Sequence, residues 1–207
     1  GDVRIWAAMA FPLLLGLSSK LLMDRMDILM LAPLGGFEET GYYGAAYRIT
    51  YLLTFPQVML MTVITPVLSE LHTSGSHARL QLIFRLSLLF AAATSLPASL
   101  LMIVFADGIV SLAYGNGYLP ASASLQVLAL VQAITAMTIP CTSWLIATGS
   151  GRTFGTYSVL GLLLTGLLNV FLIDRMGASG TAFASLAGVL IIFLGQGSEI
   201  MRSRKKA

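Results

Sequence analysis

Charge is scarce in this sequence. Twelve basic and nine acidic residues make up 10% of 207 positions, and 57% of positions are hydrophobic. Soluble domains carry about 25% charged residues. So few charges cannot cover a soluble globule of this length, and the composition is that of an integral membrane protein. Cysteine is scarcer still. Cys141 stands alone, which excludes an internal disulfide framework and any multi-cysteine metal site. There is no signal-peptide pattern with a small-residue cleavage site. The first residue is Gly1, not Met, and the expectation is a piece of a longer protein. Enzyme signatures are missing too: no phosphate-cradling glycine loop, no HExxH, no GxSxG. His72 and His77 read as solvated loop residues and not as metal ligands. The reading is a protein that is not an enzyme, with no cofactor, no metal and no nucleic-acid partner.

What is present is a series of long charge-free runs. Residues 49–69, 86–106 and 153–173 are 21 long, and 176–198 is 23 long. A helix needs about 20 residues to cross a bilayer core. The run 108–151 is longer, but "YGNGYLP" (114–120) punctuates it with Gly115, Gly117 and Pro120. A short interfacial helix fits before that point and one span after it, at about 121–147. A first span runs from near Ile5 to about Pro33. The expected fold is all-α, an integral membrane bundle of six transmembrane helices over residues 1–207.

Six spans return both ends to one side. Arg4, Arg79, Arg85, Arg152, Arg202, Arg204, Lys205 and Lys206 then fall at one face. Arg175 falls at the other, with Glu38, Glu39, Asp107 and Asp174. By the positive-inside rule both termini are cytoplasmic. The tail "RSRKKA" reads either as a topology signal or as a contact for anionic lipid. Pro12, Pro56, Pro66, Pro97 and Pro140 lie inside the spans, where each removes a helix hydrogen bond and permits a kink. Gly180, Ala184 and Gly188 form a small-residue stripe that lets helix backbones approach closely. Tyr43, Tyr47 and Tyr51 share a face of the second helix. They line a cavity or sit in an interfacial aromatic belt, the latter natural for Tyr43.

Against this background "KLLMDRMDILML" (20–31) is anomalous, because it concentrates Lys20, Asp24, Arg25 and Asp27. Seven apolar or proline residues follow Asp27, so the charges lie within bilayer depth. Each such group costs about 2.5–3.5 kcal/mol on insertion scales and is a functional hypothesis by default. At about 100° per residue, Lys20, Asp24 and Asp27 share one helix face and Arg25 points elsewhere. Arg48, counted from Gly41, is roughly level with Asp24 counted from Pro33, both ~10–13 Å from the turn. The spacing predicts that Arg48 pairs with Asp24 or Asp27. The five charges sum to +1. One reading is pairing that fixes helix register. The other is a polar cavity whose surplus cation attracts an anionic guest.

Four stretches resemble one family. "DILMLAPLGGFEETGYYGAAYRI" (27–49) is similar to the turn between the seventh and eighth helices of polysaccharide flippases. These belong to the multidrug/oligosaccharidyl-lipid/polysaccharide exporter superfamily. "FPQVMLMTVITPVLSELHTSG" (55–75), "ADGIVSLAYGNGYLPASASLQVLAL" (106–130) and "LLNVFLIDRMGASGTAFAS" (167–185) resemble later segments of that family. Asp174 stands where proline is usual. The resemblance covers nearly the whole chain and implies the C-terminal lobe of a two-lobed, alternating-access transporter. The N-terminal lobe would be absent from this chain and supplied upstream or by a partner chain. The implied substrate is a polyprenyl-pyrophosphate-linked oligosaccharide for cell-surface polysaccharide, in the bacterial cytoplasmic (inner) membrane and among its lipids. Lys20, Arg25 and Arg48 would bind the pyrophosphate, with Asp24 and Asp27 holding the cations. A cation-coupled multidrug antiporter of the same superfamily, using Asp24 or Asp27, is the alternative. A non-transporting membrane scaffold is a third.

Overall fold

The computed structural model describes the course of the chain over residues 2–204 and the side chains at Phe11 and from Leu13 to Ser203. The side chains of Arg4, Pro12 and Arg204, and residues Lys205 and Lys206, lie outside the described residues. Six α-helices follow in order: α1 (Asp2–Tyr51), α2 (Phe55–Thr73), α3 (His77–Val104), α4 (Ala106–Tyr114), α5 (Ala121–Ala147) and α6 (Gly151–Arg204). A single 3₁₀ turn, Leu52–Thr54, joins α1 to α2. No strand occurs among the described residues. Among the described residues four stretches are long and apolar enough to cross a membrane: Leu13–Thr73, His77–Val104, Ala121–Ala147 and Gly151–Ser203.

Two of these stretches are too long to be single rods. A straight helix from 13 to 73 would reach about 90 Å, three times a bilayer core. Each is folded back at one glycine. Gly36 has φ 88° and ψ 170° inside α1, and Gly177 has φ 53° and ψ −130° inside α6. These conformations suit a residue without a Cβ. The consequence is visible in contacts. Tyr43 bonds Asp27, sixteen residues earlier, although a straight helix would hold them ~24 Å apart. Thr165 Oγ1 donates to Ala184 O, nineteen residues on, at 3.5 Å.

The reversal at Gly36 is tighter than the turn read between Pro33 and Gly41. Helix resumes at once, with Glu38 and Glu39 in its first turn, where the helix dipole favours acids. Thr40 Oγ1 donates to Gly36 O at 2.7 Å. Glu39 Oε2 also accepts the Ala178 N–H at 2.7 Å, satisfying a free donor at the start of the second arm of α6. One hairpin tip thus caps the other, and α1 against α6 is the most extensive helix contact in the molecule.

The rest of the bundle follows the sequence reading closely. α5 occupies the expected 121–147, and its buried face is the broadest of any helix. α4 is nine residues long, too short to cross. Along α3 the buried positions are Leu80, Phe84, Ser87, Ala91, Ser95 and Ser99, a single stripe at helical spacing. Leu86, Leu89, Leu96 and Leu100 point outward. From Ser87 onward small residues face in and large apolar ones face out, because lipid solvates leucine while close helix packing needs small side chains. Gly180, Ala184 and Gly188 pack as expected: a Cβ on Gly180 would strike Leu172 O, and one on Gly188 would strike Thr165 Oγ1.

Candidate functional site

The two glycine reversals set the depth of the polar groups on α1 and α6. Asp27 lies nine residues before Gly36 and Tyr43 seven after it. Asn169 and Ser185 each lie eight residues from Gly177. All four are therefore ~10–14 Å from their hairpin tips at 1.5 Å per residue. The tips are tied by Glu39, so the four side chains meet. Asp27 is 4% exposed. Tyr43 Oη donates to its Oδ2 at 2.5 Å, Asn169 Nδ2 donates to its Oδ1 at 3.0 Å, and Ser185 Oγ donates to its Oδ2. A buried carboxylate without such donors would be costly. Hydrogen bonds to a charged group are worth about 1.5–3 kcal/mol each.

Asp24, one turn earlier, is treated differently. It is half-buried and accepts from Lys20 Nζ at 2.8 Å, the single ion pair among the described residues. Lys20, Asp24 and Asp27 border one internal space with Tyr43, Tyr47, Gln132 and Ser185. The shared face read from the sequence is thus real. That space is about 20 Å³, room for about one water.

A second, outward groove lies behind it. It is lined by Leu21, Asp24, Arg25, Tyr47, Arg48 and Tyr51. Asp24 and Arg48 are each twelve residues from Gly36, which makes them level. Arg25 and Arg48 are exposed, and neither forms an ion pair among the described residues.

The expected pairing of Arg48 with Asp24 or Asp27 is therefore not what the structure shows. Asp24 is taken by Lys20, and Asp27 turns inward to neutral donors. Asp27 consequently holds no cation in place. The aromatic-belt reading of Tyr43 also fails: Tyr43 is 1% exposed because its hydroxyl reaches Asp27. Tyr47 stacks on it at 6.3 Å between ring centroids, and Tyr51 follows at 5.7 Å.

Asn169 and Ser185 were not singled out from the sequence. Asn169 carries the one available signal, an amide inside a charge-free run. His72 lies in the last turn of α2 and is half-buried, with its ring 6.4 Å from that of His77. It is less solvated than the loop reading expected. No group of three or more His, Cys, Asp or Glu side chains comes together among the described residues.

A two-hairpin helical bundle whose long helices are apolar enough to cross a membrane is the architecture of a multi-pass membrane protein. The family model described as MatE matches residues 12–171. The chain belongs to the MatE family, within the multidrug/oligosaccharidyl-lipid/polysaccharide exporter superfamily of membrane transporters. No curated protein and no solved structure matches it.

Proposed function

We propose that the chain is one lobe of a transporter that moves polyprenyl-pyrophosphate-linked oligosaccharide across the bacterial inner membrane by alternating access. In this reading each arm of the two glycine-folded hairpins is a separate span. With α3 and α5 that gives six crossings, and the basic residues put both termini in the cytoplasm. A second lobe, on another segment or a partner chain, faces the groove and closes the path.

The observation that carries the reading is the position of Arg25 and Arg48. Two guanidinium groups share a groove at mid-depth, and the one carboxylate in its wall, Asp24, is paired with Lys20 and not with either of them. Against lipid tails this would be expensive. It becomes favourable when the groove is wet and receives an anion, and guanidinium suits a diphosphate because it donates in parallel pairs. Lys20 is partly withdrawn from that role by Asp24 and adds to the field from behind. The test is Arg48→Gln in the native host. Export of surface polysaccharide should be lost while insertion and abundance stay normal. Normal export in that variant would remove the proposal.

One observation favours the antiporter alternative. Asp27 is a buried carboxylate that forms no ion pair and is held by neutral donors, a group able to take up a proton or Na⁺ during coupling. That reading expects drug resistance on expression, abolished by Asp27→Asn, and no dependence of polysaccharide export on Arg48.

A further inference from the structure

α2 and α3 are joined by a turn at Gly75, whose φ is 70°, yet they do not pack closely along their length. Each leans on α5 instead. Thr65 of α2 donates to Ser143 Oγ at 3.0 Å, and Ser95 of α3 donates to Ala133 O at 3.4 Å. Between the two helices an outward slot of about 460 Å³ remains. Its walls are level pairs. Val67 and Ile83 each lie eight residues from Gly75, Ile64 and Leu86 eleven, and Leu60 and Phe90 fifteen. The slot therefore runs ~10 Å along the helices at 1.5 Å per residue. Beyond Leu60 and Phe90 it is closed, because Gln57 and Thr94 hydrogen-bond across it at 2.6 Å.

The slot offers no free polar donor to a guest. Ser87, its one hydroxyl side chain, donates back to Ile83 O at 2.8 Å. The complement of such a surface is hydrocarbon. Charge then says which hydrocarbon. At about 100° per residue, Arg79 shares the α3 face of Ile83, Leu86 and Phe90, one turn nearer the Gly75 end. It is exposed and forms no ion pair among the described residues. Arg85 points about 120° away from it. Glu70 is the one acid between residues 55 and 104, against these two arginines. The charge-free runs put the hydrocarbon boundary near Glu70 and Arg85. Arg79 lies six residues outside it, ~9 Å at helical rise, in the layer of lipid headgroups.

We infer that the slot between α2 and α3 holds an acyl chain of one anionic glycerophospholipid, with its phosphodiester on Arg79. One guanidinium matches one phosphodiester charge. A zwitterionic lipid would bring an ammonium toward a hairpin that is already net positive. The slot shares no residue with the Arg25–Arg48 groove, and it does not depend on what the protein transports.

The experiment is native mass spectrometry of the full chain, titrated in detergent with phosphatidylglycerol or with phosphatidylethanolamine of the same acyl chains. One phosphatidylglycerol should bind about 5-fold more tightly than phosphatidylethanolamine, the worth of one basic residue at a membrane surface. Arg79→Gln should erase that difference. Arg85→Gln, the same loss of charge on another face, should keep it. Leu86→Trp, at a position 56% exposed and so mild for folding, should fill the slot and weaken both lipids by a few-fold. Equal affinity for the two lipids in the unaltered chain overturns the site. So does an equal effect of the two arginine changes, which marks a diffuse annulus of lipid. Displacement of phosphatidylglycerol by equimolar polyprenyl diphosphate also overturns it, since the slot would then belong to the tail of the transported lipid. Failure here leaves the transport reading untouched, because that reading stands or falls on export by Arg48→Gln.

Discussion

Asp24 and Arg48 stand twelve residues from Gly36 on opposite arms of one hairpin and border the same groove, yet they do not pair. Lys20 holds Asp24 at 2.8 Å, four residues away on its own helix, where an ion pair needs no tertiary structure to form. Arg48 is left to the groove.

If that groove is wet, its residues are reachable by water-borne reagents. Arg48→Cys and Arg25→Cys should react with a charged, membrane-impermeant thiol reagent, and Leu89→Cys, on the outward face of α3, should not. Cys141 is 3% exposed and should give little background. Failure of both arginine positions to label would mean that they face hydrocarbon.

Tyr43→Phe removes one donor from the Asp27 carboxylate, and Asn169→Leu removes another. Each should lower unfolding free energy by about 1–3 kcal/mol, seen as a lower melting temperature in detergent. The two bond the two oxygens of one carboxylate, so their effects should not add. Strict additivity would show that Asp27 does not join the two hairpins.

The reversal glycines should differ in their tolerance. A Cβ at Gly36 meets nothing within 4 Å, so Gly36→Ala should cost only the strained backbone, about 1–3 kcal/mol. At Gly177 a Cβ would also strike the Glu39 carboxylate that caps Ala178. Gly177→Ala should therefore be the more damaging of the two, measured by thermal stability and by yield of monodisperse protein. The reverse order would contradict the cap.

Close approach between the arms of α6 is tested at Gly188. Gly161 O and Met23 Cε lie 3.0 and 3.3 Å from where its Cβ would stand. Gly188→Val should destabilise by about 1–3 kcal/mol through overpacking, whereas Gly197→Ala, with open space around it, should be close to neutral. Equal behaviour at the two sites would argue against tight packing of the arms.

The helical architecture was legible because it depends on local runs. The bounds of α5, the short α4 and the interruption at Gly115 all follow from hydropathy and punctuation along a few neighbouring residues. The shared face of Lys20, Asp24 and Asp27 follows from helix periodicity alone. The partners of Asp27 were not legible. Asn169 and Ser185 lie 142 and 158 residues away, and no local pattern says which helices meet. The Arg48 pairing failed for a related reason. Depth can be counted along a helix from its turn, but rotation about the axis relative to a neighbour cannot. That Asp24 and Arg48 lie level was read correctly, but with Gly36 as the pivot both lie ~18 Å from the tip, deeper than the ~10–13 Å counted from Pro33 and Gly41.

The distance in sequence between Asp27 and two of its donors has a consequence for biosynthesis. At about 5–20 residues per second, Asn169 is made ~7–30 s after Asp27. For that interval Tyr43 is the only one of the three folded-state donors of Asp27 already in the chain. The opening hairpin thus waits for the closing one before its buried acid is fully bonded.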